Sequence, residues 1–122
     1  MKPPHVLVVE DNRFVRGLIR QELMAAGMEV SEADSLATAQ QAIPRSTADV
    51  LIVDYQLPDG TAVEVWAYAM RTNYMLAKKM VVITRAMNQT DQKALQKASG
   101  ITVLAKPFKR QELLAAVKSL LN

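Results

Sequence analysis

The chain has 122 residues, half of them apolar and 22% charged, which suits one domain with its own core and is far from disordered or collagen-like compositions. Cysteine is absent, so disulfides and thiolate metal sites are excluded and a reducing, cytoplasmic setting is expected. The net charge of +3 conceals a division: residues 1–61 carry five basic and nine acidic side chains and residues 62–122 ten basic and three acidic, scattered without the interleaved aromatics of a nucleic-acid binder.

In chain order, Lys2-Pro3-Pro4-His5 leads into Val6-Leu7-Val8-Val9, too short for a leader or a membrane span and read as the first strand. Phe14 to Ala26 places Val15, Leu18, Ile19, Leu23 and Ala26 at helical spacing, with Gly27 as C-cap. Met28 to Ala33 alternates loosely and predicts an edge strand. A second helix starts at Asp34 or Ser35 and runs through Ile43, closed by Pro44. Asp49 to Val53 is continuously apolar after its first residue and β-branched at Val50, Ile52 and Val53, the pattern of a central parallel strand.

Leu57-Pro58-Asp59-Gly60 is turn chemistry. Thr61 to Thr72 predicts a third helix, apolar nearly all round, on which Trp66 and Tyr68 cannot share a face, so that one is expected to pack inward and the other to be exposed. Met80 to Ile83 is a fourth strand, and Thr90 caps a thinly apolar fourth helix to Ala98. Ile101 to Ala105 and Arg110 to Leu121 supply the last strand and helix. The dispersed methionines are expected mostly to fill gaps in the core. The series predicts an α/β fold, a doubly wound parallel sheet spanning residues 1–122 as one domain.

The polar residues directly after the apolar runs carry the chemistry. The strands end in Glu10-Asp11, Asp54, Thr84 and Lys106-Pro107, and in an open parallel sheet these ends share one edge, where ligands bind. Carboxylates brought together repel unless a cation neutralises them. Mg²⁺ is the hard cation that suits one or two carboxylates, waters and a phosphate oxygen. A carboxylate can also attack phosphorus to give an aspartyl phosphate, with the Lys106 ammonium and Thr84 hydroxyl on the phosphoryl oxygens.

With these residues in this order, together with the segment from Val53 to Gly60 and Lys106-Pro107-Phe108, the chain resembles the response-regulator receiver domains, including the single-domain chemotaxis regulators. The resemblance covers essentially the whole chain. It implies a flavodoxin-like (βα)₅ sandwich with strand order 2-1-3-4-5, and a signalling module of two-component phosphorelays that catalyses only its own phosphorylation and dephosphorylation. It implies that Asp54 accepts a phosphoryl group from a sensor histidine kinase or a histidine phosphotransfer protein. Glu10, Asp11, Asp54 and the backbone carbonyl of Gln56 would hold Mg²⁺, and the Lys106–Pro107 bond would be cis. Output would pass through the fourth helix, fifth strand and fifth helix to a protein partner or a downstream effector domain, with homodimerisation through the same elements also in view.

Two positions depart from the family pattern. Arg85, followed by Ala86, stands where a small residue usually follows the threonine, and Val103 stands where an aromatic ring usually moves with it. They keep open a second reading, a receiver-like scaffold that binds a partner without phosphorylation. A haloacid-dehalogenase-like phosphatase is disfavoured because Gln56 replaces the acid two residues after the nucleophile. His5 is expected to be a surface residue.

Overall fold

Strands buried on both faces must be apolar at successive positions, because their side chains alternate between the two sides of the sheet. The computed structural model describes residues 2–121, so Met1 and Asn122 lie outside the described residues. It contains β1 (His5–Val9), β2 (Glu29–Ala33), β3 (Val50–Asp54), β4 (Met80–Thr84) and β5 (Ile101–Ala105). All are parallel, in one sheet of order 2-1-3-4-5. Helices α1 (Arg13–Ala25) and α5 (Arg110–Leu121) cover one face, and α2 (Leu36–Ala42), α3 (Ala62–Thr72) and α4 (Gln89–Lys97) the other. This is the doubly wound architecture expected.

The alternation builds two cores. Val6, Val8, Val50, Ile52, Val81 and Ile83 pack under α1 and α5, while Leu7, Val9, Leu51, Val53, Met80 and Val82 pack under α2, α3 and α4. Each fully buried Val, Leu or Ile contributes about 1.5–3 kcal/mol of transfer free energy. The edge strands β2 and β5 are only partly covered.

Asn12 caps α1, accepting from the amides of Phe14 at 2.9 Å and Val15 at 3.1 Å. The helix ends in a Schellman arrangement, Met28 N–H to Leu23 C=O at 3.1 Å and Gly27 N–H to Met24 C=O at 3.0 Å, with Gly27 at φ 87°. Gly100, at φ 83°, has a different reason: a Cβ there would lie 1.6 Å from the Lys78 carbonyl oxygen.

Several expectations need correction. Leu18 is 52% exposed, because Ile19 and Leu23 face the sheet and Leu18 lies about 100° round the helix from Ile19. The cap of α4 is Asn88, accepting from Asp91 N–H at 2.7 Å, not Thr90, which lies inside the helix. Trp66 and Tyr68 are both half-buried, on either flank of the Ala62, Val65, Ala69 stripe, and the Tyr68 hydroxyl donates to Gln40 C=O at 3.0 Å. Of the described methionines only Met28 and Met80 are buried, while Met24, Met70 and Met75 are exposed. His5 is half-buried, its ring 2.6 Å from Ser31 Oγ.

Candidate functional site

The parallel register brings the strand ends level. Val9 pairs with Val53, Asp54 with Ile83 and Thr84 with Ala105, so Glu10, Asp54, Thr84 and Lys106 emerge at one edge. Glu10 is 1% exposed and Thr84 9%. Lys106 Nζ lies 3.0 Å from Asp54 Oδ1 and 3.7 Å from Glu10 Oε2. Carboxylate oxygens of Glu10, Asp11 and Asp54 lie within 4.8 Å of one another.

Such crowding leaves the charge incompletely compensated. Burial, then the neighbouring Asp54 charge, raises the Glu10 carboxyl above its ordinary range, partly opposed by the Lys106 ammonium. Glu10 Oε1 accepts from Asn12 N–H at 3.2 Å, but Oε2 is buried without a hydrogen-bond partner among the described residues. A hard divalent cation fits this donor set: oxygen ligands only, excess negative charge, and one oxygen with no donor of its own.

The Lys106–Pro107 peptide bond is cis. Beside the acids lies a cleft of about 280 Å³ lined by Asp54, Gln56, Thr84, Arg85, Ala86 and Lys106. The Thr84 hydroxyl is turned into its own loop, donating to Ala86 C=O at 2.8 Å and accepting from Ala86 N–H at 3.1 Å. Arg85 is exposed on the rim. Val103 is 50% exposed and lies apart from the cleft, in a second pocket of about 230 Å³ behind Thr84 that Met87, Gln92 and Gln96 complete.

The family model described as the response regulator receiver domain matches residues 6–118. The chain belongs to this family. As a receiver domain of a two-component response regulator it is a signalling module. It is 27% identical over 117 residues to the transcriptional regulatory protein GltR of Pseudomonas aeruginosa, covering 96% of this chain and 48% of that protein. The receiver domain thus spans about half the length of such curated relatives. Among solved structures, a CheY-like receiver domain protein from Methanospirillum hungatei superposes with a TM-score of 0.89 at 21% identity, over 98% of this chain and 94% of that one. The receiver domain of the sensor histidine kinase PA1611 from Pseudomonas aeruginosa, solved with a magnesium ion coordinated in its active-site cleft, has a TM-score of 0.84 at 24% identity, over 98% of each chain. Both show the same fold. No helix among the described residues of this receiver domain is long and apolar enough to cross a membrane.

Two residues around the site carry roles that their place in the sequence does not announce. Tyr55, directly after Asp54, is 5% exposed, and its hydroxyl donates to the Asp91 carboxylate. Asn88 Nδ2 donates to the same hydroxyl at 3.1 Å. Asp59, expected to be a turn residue, accepts from the amides of Leu36 at 2.7 Å and Ala37 at 2.9 Å, capping α2 from a distant loop. Those two amides hold its carboxyl below the ordinary 3.8. The signal available for Tyr55 is a polar ring between a buried strand and a turn; for Asp59 there is none that separates a cap from a turn.

Proposed function

We propose that Asp54 accepts a phosphoryl group from a phosphohistidine of a sensor histidine kinase or histidine phosphotransfer protein, and that the change this causes around α4, β5 and α5 controls a protein partner or a downstream effector domain. The observation that carries the proposal is the Lys106 ammonium 3.0 Å from Asp54 Oδ1 inside a group of three carboxylates. An Asp54 oxygen attacks phosphorus, the phosphorus–nitrogen bond to the imidazole breaks, and the imidazole keeps the electron pair and takes up a proton. Lys106, already on the nucleophile, is within reach of the incoming phosphoryl oxygens. Thr84 contributes its hydroxyl once that group leaves Ala86.

Glu10, Asp11, Asp54 and the Gln56 carbonyl would hold Mg²⁺, and the magnesium in the PA1611 receiver domain supports that cation. When bound, it supplies neutralisation of charge on the phosphoryl oxygens. The chain would turn over no separate substrate, catalysing only its own phosphorylation and dephosphorylation, and would act as one domain over residues 1–122. The cytoplasm is the compartment this reading requires.

Incubation with a cognate phosphodonor, or with beryllofluoride, is expected to give a Mg²⁺-dependent change that Asp54→Ala abolishes. A phosphoryl group on another residue, or an active donor that works equally without metal, overturns the reading, and no modification at all by an active cognate donor favours a phosphorylation-independent scaffold.

A further inference from the structure

At the edge of the sheet opposite Asp54, α3 and α4 part to leave a groove of about 260 Å³, whose lining includes Trp66, Met70, Tyr74, Lys78, Ala94 and Lys97. Groups that a core would normally take in remain outside here: Tyr74 is 53%, Met70 37% and the neighbouring Met75 69% exposed. Cations surround them. Lys78 Nζ stands 5.2 Å from the centre of the Tyr74 ring, and Lys97 closes α4 on the other wall. Among the described residues neither lysine has an ion-pair partner. Between Glu64 and Glu112 the sequence holds nine basic residues and one acid, Asp91, and Asp91 sits at the far end of α4, bonded to Tyr55 and Asn88.

We propose that this groove is a docking surface for an acidic segment of another protein, which seats one aliphatic or aromatic side chain beside Trp66 and Tyr74 and sets carboxylates against Lys78 and Lys97. Aromatic rings and methionine thioethers are the groups that carry affinity in such contacts, while facing charges orient the partner and speed its arrival. A nucleic-acid strand would need a longer track of cations and successive rings than the groove offers. Nothing in the proposal depends on phosphorylation of Asp54, although α4 is shared by the groove and the site.

Trp66 is the only tryptophan and lies in the groove, so its fluorescence and the amide resonances of the full chain report occupancy. The probes are short synthetic peptides with a central Phe flanked by Asp and Glu, alongside versions with Lys for the acids or Gly for the Phe. The acidic Phe peptide is expected to shift Trp66, Ala94 and Lys97, with affinity falling as salt rises. The Lys78→Glu, Lys97→Glu double variant, or Gly in the peptide, is expected to weaken binding about tenfold or more. Both lysines are exposed, and the variant gives up only the Lys78 contact with the Tyr74 ring and a favourable charge in the last turn of α4. Its thermal midpoint should therefore fall by no more than a few degrees, with the amide spectrum still that of the folded chain, and Asp54→Ala should bind as wild type does. The proposal fails if no peptide shifts those residues at about 1 mM, or if the lysine versions bind equally well. It also fails if a short RNA takes the groove more tightly, or if the double variant abolishes self-association of the chain, which would make a second copy the occupant.

Discussion

The Tyr55 hydroxyl donates to the Asp91 carboxylate across 36 residues of sequence, tying the residue after Asp54 to the first turn of α4. The backbone on either side of that ring is also held, Tyr55 N–H to Ile83 C=O at 2.8 Å and Ala62 N–H to Tyr55 C=O at 2.8 Å. Helix α4 has little else, since Leu95 is its one buried residue.

Tyr55→Phe keeps the buried ring and removes this tie. It is expected to cost about 1.5–3 kcal/mol, the range for a hydrogen bond to a charged group, and to fall toward the low end because Asp91 is only half-buried. The loss should appear in denaturant unfolding, with faster amide exchange concentrated in residues 89–97. Unchanged exchange there would mean that packing of Leu95 alone positions the helix.

Beryllofluoride with Mg²⁺ is expected to change exchange protection mainly in residues 85–98. Val103 is β-branched with little rotamer freedom, and its pocket beside Thr84 holds no ring to relocate. The weakly held segment is therefore the one free to adopt a second arrangement. A change confined to β5 around Val103 would refute this, and Val103→Tyr should carry the change further into β5.

Magnesium should stabilise the fold, by about 2.7 kcal/mol when present at about 100 times its dissociation constant. Glu10→Gln removes one carboxylate of the cluster whose oxygens lie within 4.8 Å of one another and should lose most of that gain. Without metal the variant should be at least as stable as wild type, because burial and Asp54 already disfavour the Glu10 charge. Thermal unfolding of both proteins with and without Mg²⁺ checks both halves.

Asp59 gives stability a definite pH dependence. Its folded pKa is lowered by the Leu36 and Ala37 amides, so the folded state binds fewer protons than the unfolded state between the two values. The contribution is complete above the ordinary aspartate range and is lost as pH falls through the depressed folded value. Asp59→Ala should therefore be less stable than wild type at neutral pH, with the gap closing in acid. A gap that does not depend on pH would assign the effect to the turn backbone instead.

The acid-to-lysine arrangement was legible in the sequence because β-strand rules are local: Val50 to Val53 had to be apolar to be covered on both faces, and a polar residue ending such a run emerges at the sheet edge. Fold class followed from the same alternation, and the order 2-1-3-4-5 from family resemblance. Tertiary structure alone decided which side of α1 meets the sheet, leaving Leu18 outside and Ile19 inside, since one apolar stripe does not specify its docking angle. It alone decided that Asn88 rather than Thr90 caps α4, and that Tyr55 finds Asp91 and Asp59 finds α2. The last two join groups 36 and 23 residues apart, and a hydrogen bond between distant segments leaves no periodic trace in the sequence of either.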